Sequence, residues 1–159
     1  MWYTIDIDRL YEWGDYKFND NCKEYPNISM EEYNAEPYRL TLIDGELVPN
    51  PNYEEEKACI EAERISHLRC TKRVLALILK ELGVSYANLQ ALIATNEDAQ
   101  LEWDLCVELE RSNPLLDILG AELGISPTTI DKIFKYANGE ISKEDFDETD
   151  MVKGGIANG

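Results

Sequence analysis

The chain has 159 residues, 44% of them hydrophobic, which suffices for one ordinary core and argues against wholesale disorder. Its 32 acidic residues against 15 basic ones give a formal charge of -17, so DNA, RNA and anionic membranes should repel it and a basic surface is its natural electrostatic partner. Plain solubility is the competing account of that acidity, and the excess belongs to the flanks, because residues 54–82 are neutral overall.

Met1, Tyr3, Ile5 and Ile7 alternate with Trp2, Thr4, Asp6 and Asp8, the two-residue period of a half-buried strand. From Arg9 to Pro37 the pattern is irregular and polar, yet it carries Tyr11, Trp13, Tyr16, Phe18, Tyr25 and Tyr33. These rings are expected to cover a small sheet; the functional alternative is an amphipathic binding surface, since Tyr and Trp give large contact area at low entropy cost. Tyr38 to Ile43 and Glu46 to Val48 flank Asp44-Gly45, a two-residue hairpin signal because both turn positions need positive φ. The first strand and this hairpin together predict a sheet of about three strands, which needs a helix to pack against.

The stretch from Tyr53 to Leu82 predicts that helix, either continuous or as two abutting pieces. Asn52 can cap it while Glu55 returns the bond, and Glu54, Glu55 and Glu56 place negative charge where the helix dipole favours it. Apolar residues recur at Ala58, Ala62, Ile65 and Leu68, then thicken through Val74, Leu75, Leu77, Ile78, Leu79 and Leu82. Thr71 can restart the helix after a kink near Cys70, and Gly83 closes it.

Short helices should follow. Ser85 caps Tyr86 to Ile93; Thr95 with Asp98 starts a helix through Trp103, Leu105 and Leu109 to Arg111; Asn113-Pro114 opens one to Leu123; and Ser126-Pro127 opens another to Ala137. Asn138-Gly139 ends the ordered part, leaving residues 140–159 as an acidic, partly disordered tail whose first turn Ile141 and Phe146 can anchor. The fold class is α+β: a tyrosine-rich region (1–52) with a small antiparallel sheet packed on a long helix, then a bundle of short helices with helix-turn-helix-like units, the helical domain covering 53–139.

Little here points to catalysis. Cys22, Cys59, Cys70 and Cys106 form no CxxC pair; on a continuous helix Cys59 and Cys70 would stand about 16 Å apart, too far to bridge. With no signal peptide or long apolar span, reduced thiols in a cytoplasmic protein are expected. His67, the one histidine, has Cys70 as its only local companion, whereas zinc needs several converging ligands. Carboxylate pairs such as Glu108 with Glu110, or Asp6 with Asp8, come without a phosphate loop, GxSxG or HExxH, so a noncatalytic protein without cofactor or metal is expected. On the basic cluster Arg64, Arg69, Lys72 and Arg73, residues 69, 72 and 73 share a helical face; intramolecular pairing is the plain account, and homo-oligomer formation through an acidic flank of a second copy is the functional one.

Two segments echo each other at an offset of 41 residues: KELGVSYANLQALI (80–93) and AELGISPTTIDKIF (121–134) agree at four of fourteen positions. Each reads as helix, glycine turn, serine cap, helix. The run LLDILGAELGISPTTIDKIFKYANG (115–139) resembles the helix-turn-helix family, with Gly120 at the helix crossing, Gly124 in the turn, and Ile130 and Ile133 at second-helix core positions. That resemblance implies DNA contacts through Thr128, Thr129, Asp131, Lys132 and Lys135, a set with no arginine for guanine and no basic rim for phosphates. A transcriptional regulator using Lys132 and Lys135 is therefore the weakest functional expectation.

Residues 44–139, from DGELVPNPNYEEEKA through LRCTKRVLALILKELG to SNPLLDILGAELGIS, look like small acidic proteins encoded by phages and prophages of Gram-positive bacteria. The resemblance implies a noncatalytic protein-binding module, and on class and charge an anti-CRISPR-like inhibitor that occupies the basic groove of a host defence nuclease as a nucleic-acid mimic. A tail-region structural or assembly protein is the alternative. The expected partner is a basic surface of another protein, such as a nucleic-acid-binding enzyme, with neither direct nucleic-acid nor membrane binding. Candidate contacts are Glu31, Glu32 and Glu36 beside Tyr33, and Glu97, Asp98, Glu102 and Asp104 on an outer helical face.

Overall fold

A computed structural model describes residues 1–6, 9–17 and 19–152. The fold is α+β and divides into two compact units, Met1–Glu61 and Ala62–Gly159. The expected roles of Ile7, Asp8 and Phe18, and the tail end at 153–159, lie outside the described residues.

In the first unit, β1 (Trp2–Asp6) is the middle strand between β2 (Arg9–Gly14) and β3 (Lys23–Glu24), antiparallel to both, with its register to β2 shifting between Thr4 and Ile5. The hairpin β4 (Leu40–Ile43) and β5 (Glu46–Pro49) forms as read, with Asp44 and Gly45 at φ 50° and 75°. Contrary to the expected single sheet, it does not pair with the first strand, because β2 and β3 occupy both edges of β1. The two ladders meet through side chains instead: Leu47 N–H donates to the Tyr3 hydroxyl at 3.2 Å, and Met1, Tyr3, Leu40 and Leu47 share a buried cluster.

The irregular stretch also holds a helix, α1 (Met30–Ala35), which its composition hides. Ser29 and Glu32 form the reciprocal capping box that fixes its start. At the entry to α2 (Tyr53–Ser66), Asn52 accepts from Glu56 N–H through its backbone carbonyl, while the Asn50 side chain accepts from Asn52 N–H and donates to the Tyr38 carbonyl. Tyr53 stacks on Tyr38 with ring centroids 5.8 Å apart.

In the second unit the expected long helix is interrupted by a strand. β6 (Arg69–Thr71) pairs antiparallel with β7 (Glu108–Glu110), setting Cys70 opposite Leu109, and Thr71 then caps α3 (Lys72–Glu81) by accepting from Val74 N–H. Both Cys70 and Leu109 are buried, so the ladder seals the core at a point where a continuous helix would leave these two segments unpaired. The same pairing removes residues 108–111 from the predicted helix: α5 runs only from Glu97 to Leu105, capped by Asn96 rather than Thr95.

Helices α4 (Tyr86–Ile93), α6 (Pro114–Leu123) and α7 (Pro127–Ala137) match their predicted bounds and caps. The echo is structural as well, since Val84 N–H bonds the Leu79 carbonyl as Ile125 N–H bonds that of Gly120, closing α3 and α6 with the same glycine turn. At the crossing of α6 and α7, a Cβ on Gly120 would stand 2.5 Å from Ile130 Cδ1. The core gathers Phe134 and Ile93, fully buried, with Leu89, Leu109 and Ile133.

Order does not end at Gly139. Ser142 caps a short turn over 143–145, Phe146 packs edge-on against Tyr136 at 5.6 Å, and Val152 N–H donates to the Leu82 carbonyl at 3.0 Å. Acidic composition hid a strap in which Glu140 pairs with Arg64, and Asp147 and Asp150 with Lys132.

Candidate protein-binding face

Helix α5 turns Ala99 and Trp103 into the core, with the Lys72 ammonium donating to the Trp103 carbonyl and lying over its ring. At 100° per residue the opposite face centres on Leu101 and Leu105, 58% and 74% exposed. Glu97 and Asp104 flank this ridge on one side, Asp98 and Glu102 on the other, and all four are exposed. Val107, 77% exposed, follows beyond the end of the helix. An open groove of about 640 Å³ adjoins the Asp98 side, bounded across by Pro114, Leu115 and Ile118 at the start of α6. Asn113 Nδ2 donates to Glu102 Oε1 at 3.0 Å, leaving its second carboxylate oxygen for other donors. The four acids of the outer helical face are thus together; Leu105, read in the sequence beside Trp103 and Leu109 as an apolar helix position, instead faces outward with Leu101, and the i,i+4 spacing of two apolar residues among acids is their signal.

The other predicted group is differently employed. Glu32 closes the capping box, and the bonds from Ser29 hold its carboxyl below the usual range. Glu36 accepts from the Tyr53 hydroxyl at 2.9 Å and pairs with Lys57, which likewise lowers it. Tyr33 is half-buried against Trp13, whose indole N–H donates to Asn34. Glu31 is exposed in the first turn of α1. Glu32 and Glu36 thus both hold bonds within the first unit.

Helix α6, the left-handed turn at Gly124 and helix α7 follow one another as read, but part of the outward face implied for α7 is covered. Thr129, 2% exposed, donates to Asp150 Oδ1 at 2.6 Å, and Lys132 Nζ donates to Asp150 Oδ2 at 2.7 Å. Asp131 pairs with Arg111 at 2.6 Å. Thr129, Asp131 and Lys132, at least, of the five positions implied to touch DNA are engaged by the protein itself.

His67 lies on an exposed cluster in which Nδ1 is 2.8 Å from Glu110 and Nε2 is 3.2 Å from Glu63, while Arg69 also pairs with Glu110 across the ladder. Glu110 and then Glu63 raise its pKa above the ordinary 6.5. Folding binds the proton more tightly, so this stabilisation is complete below pH 6.5 and fades as pH rises through the raised value. An NMR titration should place the His67 midpoint above 6.5, and Glu110→Gln should bring it down; an unchanged midpoint in that variant would rule out the carboxylate as cause.

Cys70, the local companion expected for His67, is instead buried in β6, its thiol pushed up to about 12 by burial and then by Glu108. Among the described residues no group of three His, Cys, Asp or Glu is placed to hold a metal ion, and no helix is long and apolar enough to cross a membrane. The basic cluster is largely spoken for: Arg64 pairs with Glu140 at 2.7 Å, Arg69 with Glu110, and Lys72 with the Trp103 carbonyl.

Fold and site together define an α+β protein with an acid-flanked apolar ridge on its helical unit. No family model, no curated protein and no solved structure matches the chain.

Proposed function

We propose that the chain is a noncatalytic binding module that docks on a basic surface of another protein, and that it acts as a nucleic-acid mimic of the kind that inhibits phage-defence nucleases. One observation carries the reading: α5 holds Glu97, Asp98, Glu102 and Asp104, all exposed, on either side of exposed Leu101 and Leu105. Four carboxylates on a short rigid helix offer negative charge at fixed spacing, as a phosphate backbone does, while the net charge of -17 speeds encounter with a basic groove and discourages encounter with nucleic acid.

The test is displacement of labelled duplex from the basic groove of a defence nuclease, read with cleavage. The chain should displace duplex and block cleavage, less so as salt rises. Reversing Glu97, Asp98, Glu102 and Asp104 to lysine should weaken displacement by about tenfold or more. Unchanged displacement by that variant would sink the mimic reading.

A further inference from the structure

The ridge and its groove say more about the partner than charge does. Leu101 and Leu105 are one helical turn apart, so they present a straight apolar line rather than scattered points. Such a line is matched by a second helix carrying apolar residues at the same i,i+4 spacing. On the α6 side, Asp98 and Glu102 repeat the one-turn spacing along the groove edge, facing Pro114 and exposed Ile118. A planar guanidinium fits between such a carboxylate edge and an apolar wall, because it bonds two oxygens in its plane while its faces stack on carbon. Glu110, which also lines the groove, is already paired with Arg69 and adds little charge for a ligand.

From this geometry we propose that the α5–α6 face is a docking site for a basic amphipathic helix of a partner protein. The partner's apolar stripe lies on Leu101 and Leu105, and an arginine beside that stripe enters the groove against Asp98 and Glu102. The occupant is argued from charge complementarity: four carboxylates border the ridge and no basic side chain lies among the groove's residues. A second copy is disfavoured, since each copy carries -17. The inference rests on the binding-module reading and adds the shape and side-chain chemistry of what is bound.

The probe is a fluorescent helical peptide of about 18 residues with leucines along one face and arginines beside them, titrated by anisotropy against the full chain. Controls are a scrambled peptide of the same composition and a peptide with lysine for arginine. The ordered peptide should bind. Leu101→Ser with Leu105→Ser, and separately Asp98→Asn with Glu102→Gln, should each weaken it by about tenfold or more. The scrambled peptide should bind about tenfold more weakly, and the lysine peptide should lose severalfold. All four residues are exposed, so circular dichroism should show intact folds.

Equal binding of ordered and scrambled peptides, or unaltered binding by the serine variant, would overturn the docking helix while leaving charge-driven binding to the nuclease intact. No binding of the ordered peptide would overturn it too. Sedimentation showing a dimer that the serine variant dissociates would assign the ridge to a second copy and overturn it equally. The mimic reading falls on a separate result, nuclease displacement that ignores reversal of the four acids.

Discussion

Replacing Phe134 by alanine is expected to lower the stability of the helical unit by about 3–5 kcal/mol, the cost of removing a buried aromatic ring and leaving its cavity. Phe134 is fully buried on α7 and belongs to the cluster formed with Leu79, Leu109 and Ile133. Collapse around the gap is hindered, because the surrounding helices are fixed at their ends: Thr71 caps α3, Ser126 caps α7, and Asn138 Nδ2 donates to the carbonyls of both Arg69 and Phe134. Urea unfolding followed by circular dichroism measures the loss, and in a unit of this size each kcal/mol corresponds to about 4–8 °C in Tm. The paired control is Leu101→Ser, which removes an exposed side chain and should cost less than about 0.5 kcal/mol. A loss below about 1 kcal/mol for Phe134→Ala would mean that the core refills and is not close-packed there.

What could be read in the sequence follows from how local each signal is. Caps and turn residues act within four positions, so Ser85, Asn113-Pro114 and Ser126-Pro127 marked helices correctly, and Asp44-Gly45 marked its hairpin. The break at β6 depends on a partner about forty residues away, and Cys70 pairs with Leu109 only because the chain returns there. Helical periodicity on either side masked it. The hairpin's separation from β1 is of the same kind, decided by which strands occupy the edges of β1. At the candidate face the acids were legible because charge stands out in composition, whereas Leu101 and Leu105 became informative once Ala99 and Trp103 were seen to take the buried side. For Glu32 and Glu36 the charge was visible in the sequence, whereas their bonds to Ser29 and Tyr53 were not.

Asp150→Asn should release the strap over α7 and lower stability by about 2 kcal/mol at neutral pH, the range for hydrogen bonds to a charged group. Asp150 is 5% exposed and accepts from Thr129 Oγ1, Lys132 Nζ and Asp147 N–H. Burial by itself would raise its pKa, but the bonds from Lys132, Thr129 and Asp147 outweigh it and hold the carboxyl below the ordinary 3.8. A depressed carboxylate stabilises the fold above its ordinary value, and that contribution disappears as pH falls through the lower, folded one. The gap between Asp150→Asn and the unaltered chain should therefore be full at pH 7 and vanish in strong acid. Hydrogen exchange at Val152, whose N–H bonds the Leu82 carbonyl, reads the strap directly and should quicken in the variant. Lys132→Met separates charge from shape: it strips the carboxylate of its ammonium partner, raises the Asp150 pKa, and should move strap release to a higher pH than in the unaltered chain. Val152 exchange that ignores both substitutions would show that Phe146 and Val152 hold the strap by packing alone, with the buried carboxylate a passenger.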